Sequence, residues 1–303
     1  MIYTVTFNPA VDYVIHIDSI KQGTVNRSSH EKIYFGGKGI NISLILAQLG
    51  IKSVALGFTA GFTGEAIESY MENSGIETDF VHLESGFSRI NIKLKSSEET
   101  EINGQGADIT KNKIDEFFRK LNRLNDGDTL ILAGSVPKSM PSDIYEKILE
   151  YIKPKKIRIV VDAEKNLLLP TLKYNPFLIK PNHIELSEIF NKKIESTKEI
   201  IKYAHELQNA GAVNVIVSRG GKGAVLVDEY KKAHSCRAYD GTVKNTVGAG
   251  DSMIAGFLAG YKFKDYKYAL NFSVVCGCAT AFSDGLASRE DIYRLNHGRK
   301  SKG

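Results

Sequence analysis

The run Asn245-Thr246-Val247-Gly248-Ala249-Gly250-Asp251-Ser252 sets three small residues directly ahead of an acid, and an apolar periodic stretch follows to Tyr261. A turn of small residues at the start of a helix leaves the first backbone N–H groups bare, and bare N–H groups attract anions. A carboxylate at the same end is stabilised as the anion and lies beside that anion hole. The combination suits phosphoryl transfer: the acid takes a hydroxyl proton while the amides hold developing negative charge. A purely capping role for Asp251 accounts for the local pattern equally well.

Two further glycine clusters could meet phosphate, Phe35-Gly36-Gly37-Lys38-Gly39-Ile40-Asn41 and Ser218-Arg219-Gly220-Gly221-Lys222-Gly223. Neither completes a standard fingerprint. Lys38 and Lys222 are each followed by glycine where a P-loop needs Ser or Thr. Ile42 and Met253 stand where a dinucleotide turn needs its third glycine. A P-loop NTPase and a dinucleotide enzyme are both disfavoured.

The elements that must position these residues alternate along the chain. Strands are predicted at Ile2–Phe7, Ser53–Phe58, Thr129–Ala133, Ile157–Asp162, Phe177–Ile179, Asn214–Ser218 and Ala224–Asp228. Several are apolar almost throughout, as in strands of a parallel sheet covered on both faces. Helices are predicted at Gly39–Leu49, Gly64–Asn73, Lys111–Leu124, Ser142–Tyr151, Thr197–Ala210, Ser252–Tyr261 and Tyr266–Phe282. This alternation predicts one doubly wound α/β domain spanning residues 1–303. Two regions, about 11–35 and 86–104, contain alternating strands with no helix between partners. They predict a small antiparallel sheet inserted as a lid; an edge extension of the main sheet is the other reading.

Composition limits the function without choosing it. The chain has 303 residues, 42% hydrophobic and 25% charged, with a net charge of +5. That charge is too small and too dispersed to predict a nucleic-acid partner. The basic end His297-Gly298-Arg299-Lys300-Ser301-Lys302-Gly303 is expected to be a solvated tail. No apolar run nears the ~18 residues of a membrane span, and no signal-peptide pattern opens the chain, so a cytoplasmic protein is expected. Three cysteines, Cys236, Cys276 and Cys278, give no disulfide framework; they predict buried small hydrophobes in a reducing compartment.

The segments NTVGAGDSMIAGF and GGKGINISLILAQLG, which bracket most of the chain, resemble the two signatures of the PfkB (ribokinase-like) sugar kinases. Gly134-Ser135-Val136-Pro137, Val161-Asp162, Ile179-Lys180-Pro181-Asn182 with Glu185, and VSRGGKGA follow in the matching order. The resemblance implies a ribokinase-like three-layer αβα sandwich, with a mainly parallel central sheet and a small inserted β-sheet lid. It also implies ATP with Mg²⁺ and phosphorylation of a sugar hydroxyl. By resemblance Asp251 is the general base, and Gly248, Ala249 and Gly250 supply the anion hole. Lys180, Asn182, Ser218, Arg219, Gly220, Gly221, Lys222 and Gly223 fall to the ATP side, although Arg219 departs from the apolar residue expected there. Asn245, Cys276 and Thr280 are expected along the adenine, and Glu185 near Mg²⁺ through a water. Asp12, Gly37, Lys38, Gly39, Asn41 and Ser135 fall to the acceptor.

Arg89 and Lys93 lie four apart on one predicted lid strand, so they share a face with Asn91. Such a cationic face suits a sugar phosphate, because arginine binds phosphate at two points. Arg27 is expected to add a contact. The strand Ser88-Arg89-Ile90-Asn91-Ile92-Lys93 and the run DAEKNLLLPTLKYNPFLIKPNHIEL are most similar to the family branch that acts on fructose 1-phosphate. That branch implies phosphorylation at O6 to give fructose 1,6-bisphosphate and ADP, and a homodimer through the lid. Tagatose 6-phosphate is the alternative acceptor. A regulator that binds without catalysis is less favoured, since it has no need of Asp251.

Overall fold

The computed structural model describes residues 1–262 and 264–298. The last five residues of the basic tail therefore lie outside the described residues. The strands are β1 (Ile2–Thr6), β2 (Ala10–His16), β3 (His30–Gly36), β4 (Ser53–Ala60), β5 (Glu77–Thr78), β6 (Val81–Leu83), β7 (Arg89–Lys95) and β8 (Glu99–Asn103). They continue as β9 (Thr129–Ala133), β10 (Arg158–Asp162), β11 (Leu178–Ile179), β12 (Asn214–Ser218), β13 (Ala224–Val227) and β14 (Ala233–Cys236). The helices are α1 (Lys38–Gln48), α2 (Gly61–Asn73), α3 (Lys111–Lys120), α4 (Ile144–Ile152), α5 (Lys165–Leu168), α6 (His183–Phe190), α7 (Thr197–Asn209), α8 (Ala249–Tyr261), α9 (Tyr266–Ala281) and α10 (Arg289–Gly298).

The main sheet runs β14-β13-β12-β11-β10-β9-β1-β4-β5, with β6 also paired to β4. It is parallel from β12 across to β4, and turns antiparallel at β13 and β14. Side chains of a strand alternate between faces, and the core divides accordingly. Leu130 and Leu132 of β9 join Val5, Val161, Val215, Ile144, Ile148 and Ile200 under α4 and α7. Ile131 and Ala133 join Val160, Ile216, Ile45, Ile254 and Phe257 under α1 and α8. Strands apolar on both faces thus became the middle layer of an αβα sandwich, as their composition predicted.

A second sheet of four strands, β3-β2-β7-β8, is separate from the first. Its hairpins β2–β3 and β7–β8 are antiparallel, as expected from the sequence. The hairpins join side by side through a parallel pairing of β2 with β7, which places Asp12 opposite Asn91.

Helix starts follow local chemistry. Ser196 caps α7 with Glu199 answering its backbone, and Asn182 with Glu185 does the same for α6. α8 begins at Ala249, three residues earlier than the predicted start at Ser252. Its N-cap is Gly248 at φ 78°, where a Cβ would also meet Leu286 Cδ2 at 2.5 Å. Only glycine tolerates that combination. Among the described residues no helix is long and apolar enough to cross a membrane.

Candidate active site

Parallel strands deliver their last residues to one edge, and ligands of open α/β sheets bind there. In this chain β10 ends at Asp162, β11 is followed by Lys180 and Asn182, β12 ends at Ser218, and β9 is followed by Gly134 and Ser135. A cleft of about 1410 Å³ opens at this edge, between the two sheets and the N-termini of α1, α6 and α8. A side pocket of about 190 Å³ shares Gly37, Lys38 and Arg89 with it and is lined as well by Ser135, Asn8 and Glu164.

Asp251 lies in the first turn of α8 and is 5% exposed, yet it lines the cleft. Asn41, from the first turn of α1, donates Nδ2–H to Asp251 Oδ2 at 2.8 Å. Burial pushes the Asp251 carboxyl up to about 6; the negative charge of Asp162 adds to the rise, and Asn41, Lys38 and Lys180 oppose it. A carboxyl tuned this way is ionised at neutral pH and is a better base than a free aspartate.

The three-residue turn is less uniformly bare than the sequence implies. The Ala249 N–H donates to Thr246 O at 3.2 Å, and Ser252 N–H closes the first helical bond to Gly248 O at 2.8 Å. Gly250 and Asp251 occupy the positions whose N–H groups have no intrahelical carbonyl. Lys180 Nζ stands over them: a Cβ on Gly250 would lie 3.0 Å from it.

The sequence motifs assign Asp162 no role. It is 3% exposed, and its two oxygens face Lys38 Nζ at 3.2 Å and Lys180 Nζ at 3.3 Å. Burial alone would raise its carboxyl, but Lys180 and Lys38 overcome that and hold it below the ordinary range. Burial also disfavours the Lys38 ammonium, and Asp162 with Asp251 more than reverses the effect, so Lys38 stays charged. The available signal is an acid, buried at the end of a strand, directly after the apolar run Ile159-Val160-Val161.

On the small sheet, Asp12, Arg89, Asn91 and Lys93 all face the cleft. Asn91 Nδ2 donates to Asp12 Oδ1 at 2.7 Å, and Lys93 Nζ lies 3.6 Å from Asp12 Oδ2 and 3.5 Å from Glu101. The Nε of Arg89 is buried without a hydrogen-bond partner among the described residues. Burial pushes its guanidinium downward, and Asp12 opposes. A buried guanidinium donor without an acceptor is costly unless a ligand supplies one.

On the opposite side Lys180, Asn182, Glu185, Ser218, Gly220, Gly221, Gly223 and Asn245 line the cleft. Among the described residues nothing lies within 4 Å of where a Cβ on Gly220 or Gly221 would stand, so this loop is open to a ligand. Asn182 Oδ1 accepts from Ile184 N and Glu185 N, and Glu185 Oε2 accepts from Asn182 N at 2.7 Å.

Other residues singled out from sequence lie elsewhere. Arg27 sits in the exposed segment between β2 and β3 and does not line the cleft of this chain. Gly39 is buried against β1, where a Cβ would meet Thr6 Oγ1 at 2.5 Å; it serves the close approach of α1 and is not among the residues that line the cleft. Arg219 turns away to Thr197 Oγ1 at 2.9 Å, and exposed Lys222 lies outside the lining. Cys276 and Thr280 are fully buried. Cys276 packs on Gly256, and Thr280 bonds Ser252 Oγ at 2.8 Å. The residues of α9 that line the cleft are Val274, Gly277, Cys278 and Ala281.

Comparison with known proteins agrees with this geometry. The model of pfkB family carbohydrate kinases matches residues 5–292. A 1-phosphofructokinase of Bacillus subtilis is 44% identical over 296 residues, covering 97% of each chain. A D-tagatose-1-phosphate kinase of Bacillus licheniformis is 40% identical over 298 residues, covering 98% of this chain and 96% of the other. The crystal structure of phosphofructokinase-2 from Escherichia coli in complex with substrates and products superposes with a TM-score of 0.91 at 25% identity, covering 98% of each chain. A matched family model over nearly the whole length, relatives of this identity and a ribokinase-like fold agree: the chain is an enzyme that belongs to the pfkB family of carbohydrate kinases.

Proposed function

We propose that the enzyme transfers the γ-phosphoryl group of ATP to O6 of fructose 1-phosphate, giving fructose 1,6-bisphosphate and ADP. The observation that carries the choice of acceptor is Arg89. Arg89 lines both the cleft and the side pocket, as Lys38 does, with Ser135 on the side pocket, and its buried Nε has no hydrogen-bond partner among the described residues. A phosphate there would satisfy the guanidinium at two points. Asp12, held by Asn91 and Lys93, would accept hydrogen bonds from the sugar hydroxyls. Sugar O6 would then meet Asp251, and the nucleotide would lie along Ser218, Gly220, Gly221, Asn245 and the α9 residues.

Asp251 takes the proton from O6 as O6 attacks the γ-phosphorus. The bond from phosphorus to the β,γ-bridging oxygen breaks and its electron pair leaves with ADP. The N–H groups of Gly250 and Asp251, with Lys180, hold the transferring group. The donor set also fits Mg²⁺ bound with the nucleotide. Among the described residues no group of three or more His, Cys, Asp or Glu forms a metal cage, and Asp162 is taken by two lysines. Glu185 uses Oε2 in the helix cap; Oε1 is left to meet a water of a hydrated ion, the mode magnesium favours. When bound, Mg²⁺ neutralises charge on the β- and γ-phosphates.

The small sheet acts as a lid over the acceptor within a single kinase domain. Its other face carries an apolar row straight across all four strands, Ile33-Tyr13-Ile92-Ile102, with Ile33 58% and Ile102 55% exposed. Such a face calls for a cover, and a second lid supplies one in a homodimer. The free cysteines and the use of ATP fit a cytoplasmic location.

The Bacillus licheniformis relative favours one second reading, D-tagatose 1-phosphate, which carries its phosphate on the same carbon. Steady-state ADP release with fructose 1-phosphate, tagatose 1-phosphate, tagatose 6-phosphate and fructose 6-phosphate separates the readings. Fructose 1-phosphate is expected to give the highest kcat/KM; a tenfold lead for another acceptor would reassign the substrate.

A further inference from the structure

Asp162 contacts neither Asp251 nor any N–H of the α8 turn through a hydrogen bond or ion pair in the structure, yet it organises the charges around both. Its carboxylate is almost fully buried and takes Lys38 on one oxygen and Lys180 on the other, at 3.2 and 3.3 Å. The two lysines arrive from different elements, Lys38 as the first residue of α1 and Lys180 as the residue that follows β11. Lys180 Nζ is near the backbone of Gly250. Both ammonium groups are close enough to Asp251 to act on its charge, but among the described residues neither forms an ion pair with it within 4 Å. The hydrogen-bond partner of Asp251 is the neutral Asn41.

This arrangement has a chemical consequence. Two lysines free to turn toward a carboxylate would pair with it and turn a general base into a weak one. Lysines are nonetheless needed in the same place, because the phosphoryl group passing between nucleotide and acceptor is strongly anionic. We infer that Asp162 is a positioning residue: it holds Lys38 and Lys180 on its own two oxygens, so that both can face the transferring phosphoryl group while neither pairs with Asp251. The inference rests on the reading of Asp251 as general base.

The charges around Asp251 agree with it. α1 contributes Lys38 and Asn41, the strand ends contribute Asp162 and Lys180, and α6 contributes Glu185, which acts on Lys38. On α9, the Cys276 thiol packs on Gly256 and Cys278 lies on the cleft wall. Asp162 adds to the rise that burial begins, second only to burial itself.

The test is direct titration of Asp251 by ¹³C NMR in protein labelled at aspartate carboxyls, its signal assigned by loss in Asp251→Asn. In Asp162→Asn the Asp251 midpoint is expected to fall by about one unit or more, since a like charge is gone and two lysines are released. The acid limb of kcat/KM should move down with it, and kcat should fall roughly 100-fold. Asp162→Glu keeps the charge but displaces both ammonium groups. It should leave the Asp251 midpoint in place while kcat falls roughly tenfold or more. An unmoved Asp251 midpoint in Asp162→Asn, or a wild-type kcat in Asp162→Glu, would overturn the inference. If Asp162→Asn does not fold, Asp162→Glu alone decides. The base assignment fails separately: Asp251→Asn with wild-type turnover would remove it, whatever the titration shows.

Discussion

Asn41 and Asp251 lie 210 residues apart in sequence and meet through a 2.8 Å hydrogen bond at the junction of the first turns of α1 and α8. The neutral amide fixes one carboxylate oxygen. It offsets part of the rise that burial and Asp162 impose on the carboxyl. Removing the donor in Asn41→Ala should therefore raise the Asp251 midpoint further. The pH–rate profile is the check: its acid limb should move to higher pH, and kcat at neutral pH should fall.

The profile of the unmodified enzyme follows from the same carboxyl. With Asp251 at about 6, kcat/KM for fructose 1-phosphate should be flat above neutrality. It should fall tenfold per pH unit below about pH 6, as the base becomes protonated. A profile unchanged down to pH 4.5 would contradict the assignment.

Stability should show the opposite face of this tuning. The Asp251 carboxyl binds its proton more tightly in the folded protein, at about 6, than in the unfolded chain, at about 3.9. Folding stability is therefore lost as pH rises through that window. Asp251→Asn escapes the loss, so thermal melts should show it more stable than wild type at pH 8 by a few kcal/mol, with the difference shrinking toward pH 4.

Arg89 should govern the acceptor and not the nucleotide. Arg89→Ala removes charge-assisted hydrogen bonds worth about 1.5–3 kcal/mol, so KM for fructose 1-phosphate should rise roughly 10- to 150-fold. KM for ATP should change little. Equal losses for both substrates would place Arg89 outside the acceptor site.

The lid face can be tested without catalysis. Ile33→Glu with Ile102→Glu puts like charges into the exposed apolar row. Sedimentation should show a dimer for the wild type and a monomer for the double variant. A monomeric wild type would remove the lid–lid interface.

Much of this architecture was legible because its signals are physical and local. Strands such as Thr129–Ala133 are apolar on both faces, and that composition belongs to a covered parallel sheet. The lid strands alternate, so Arg89, Asn91 and Lys93 could be assigned to one face before any fold was known. Where periodicity is weak, the sequence does not identify the face. α9 is apolar nearly all round, with Ala269, Leu270, Phe272, Val274, Val275 and Cys276 all buried, so nothing in its pattern says which side meets the cleft. Cys276 and Thr280 face α8 and the core, and Gly277, Cys278 and Ala281 line the cleft instead. β5, β6 and β14 have two to four residues, too few to show alternation. Asp162 looked like a strand ending because the lysines that explain it come from positions 124 residues before it and 18 after it in the chain.

The central claim is that Asp251 deprotonates O6 of fructose 1-phosphate for transfer of the γ-phosphoryl group. ³¹P NMR of the reaction of purified protein with ATP, Mg²⁺ and fructose 1-phosphate follows that transfer directly, with Asp251→Asn run beside it. The account predicts a new phosphate at C6 and matching ADP with the wild type, and a rate roughly 10²–10⁴ lower with the folded variant. No fructose 1,6-bisphosphate from the wild type, or an equal rate from Asp251→Asn, would contradict it.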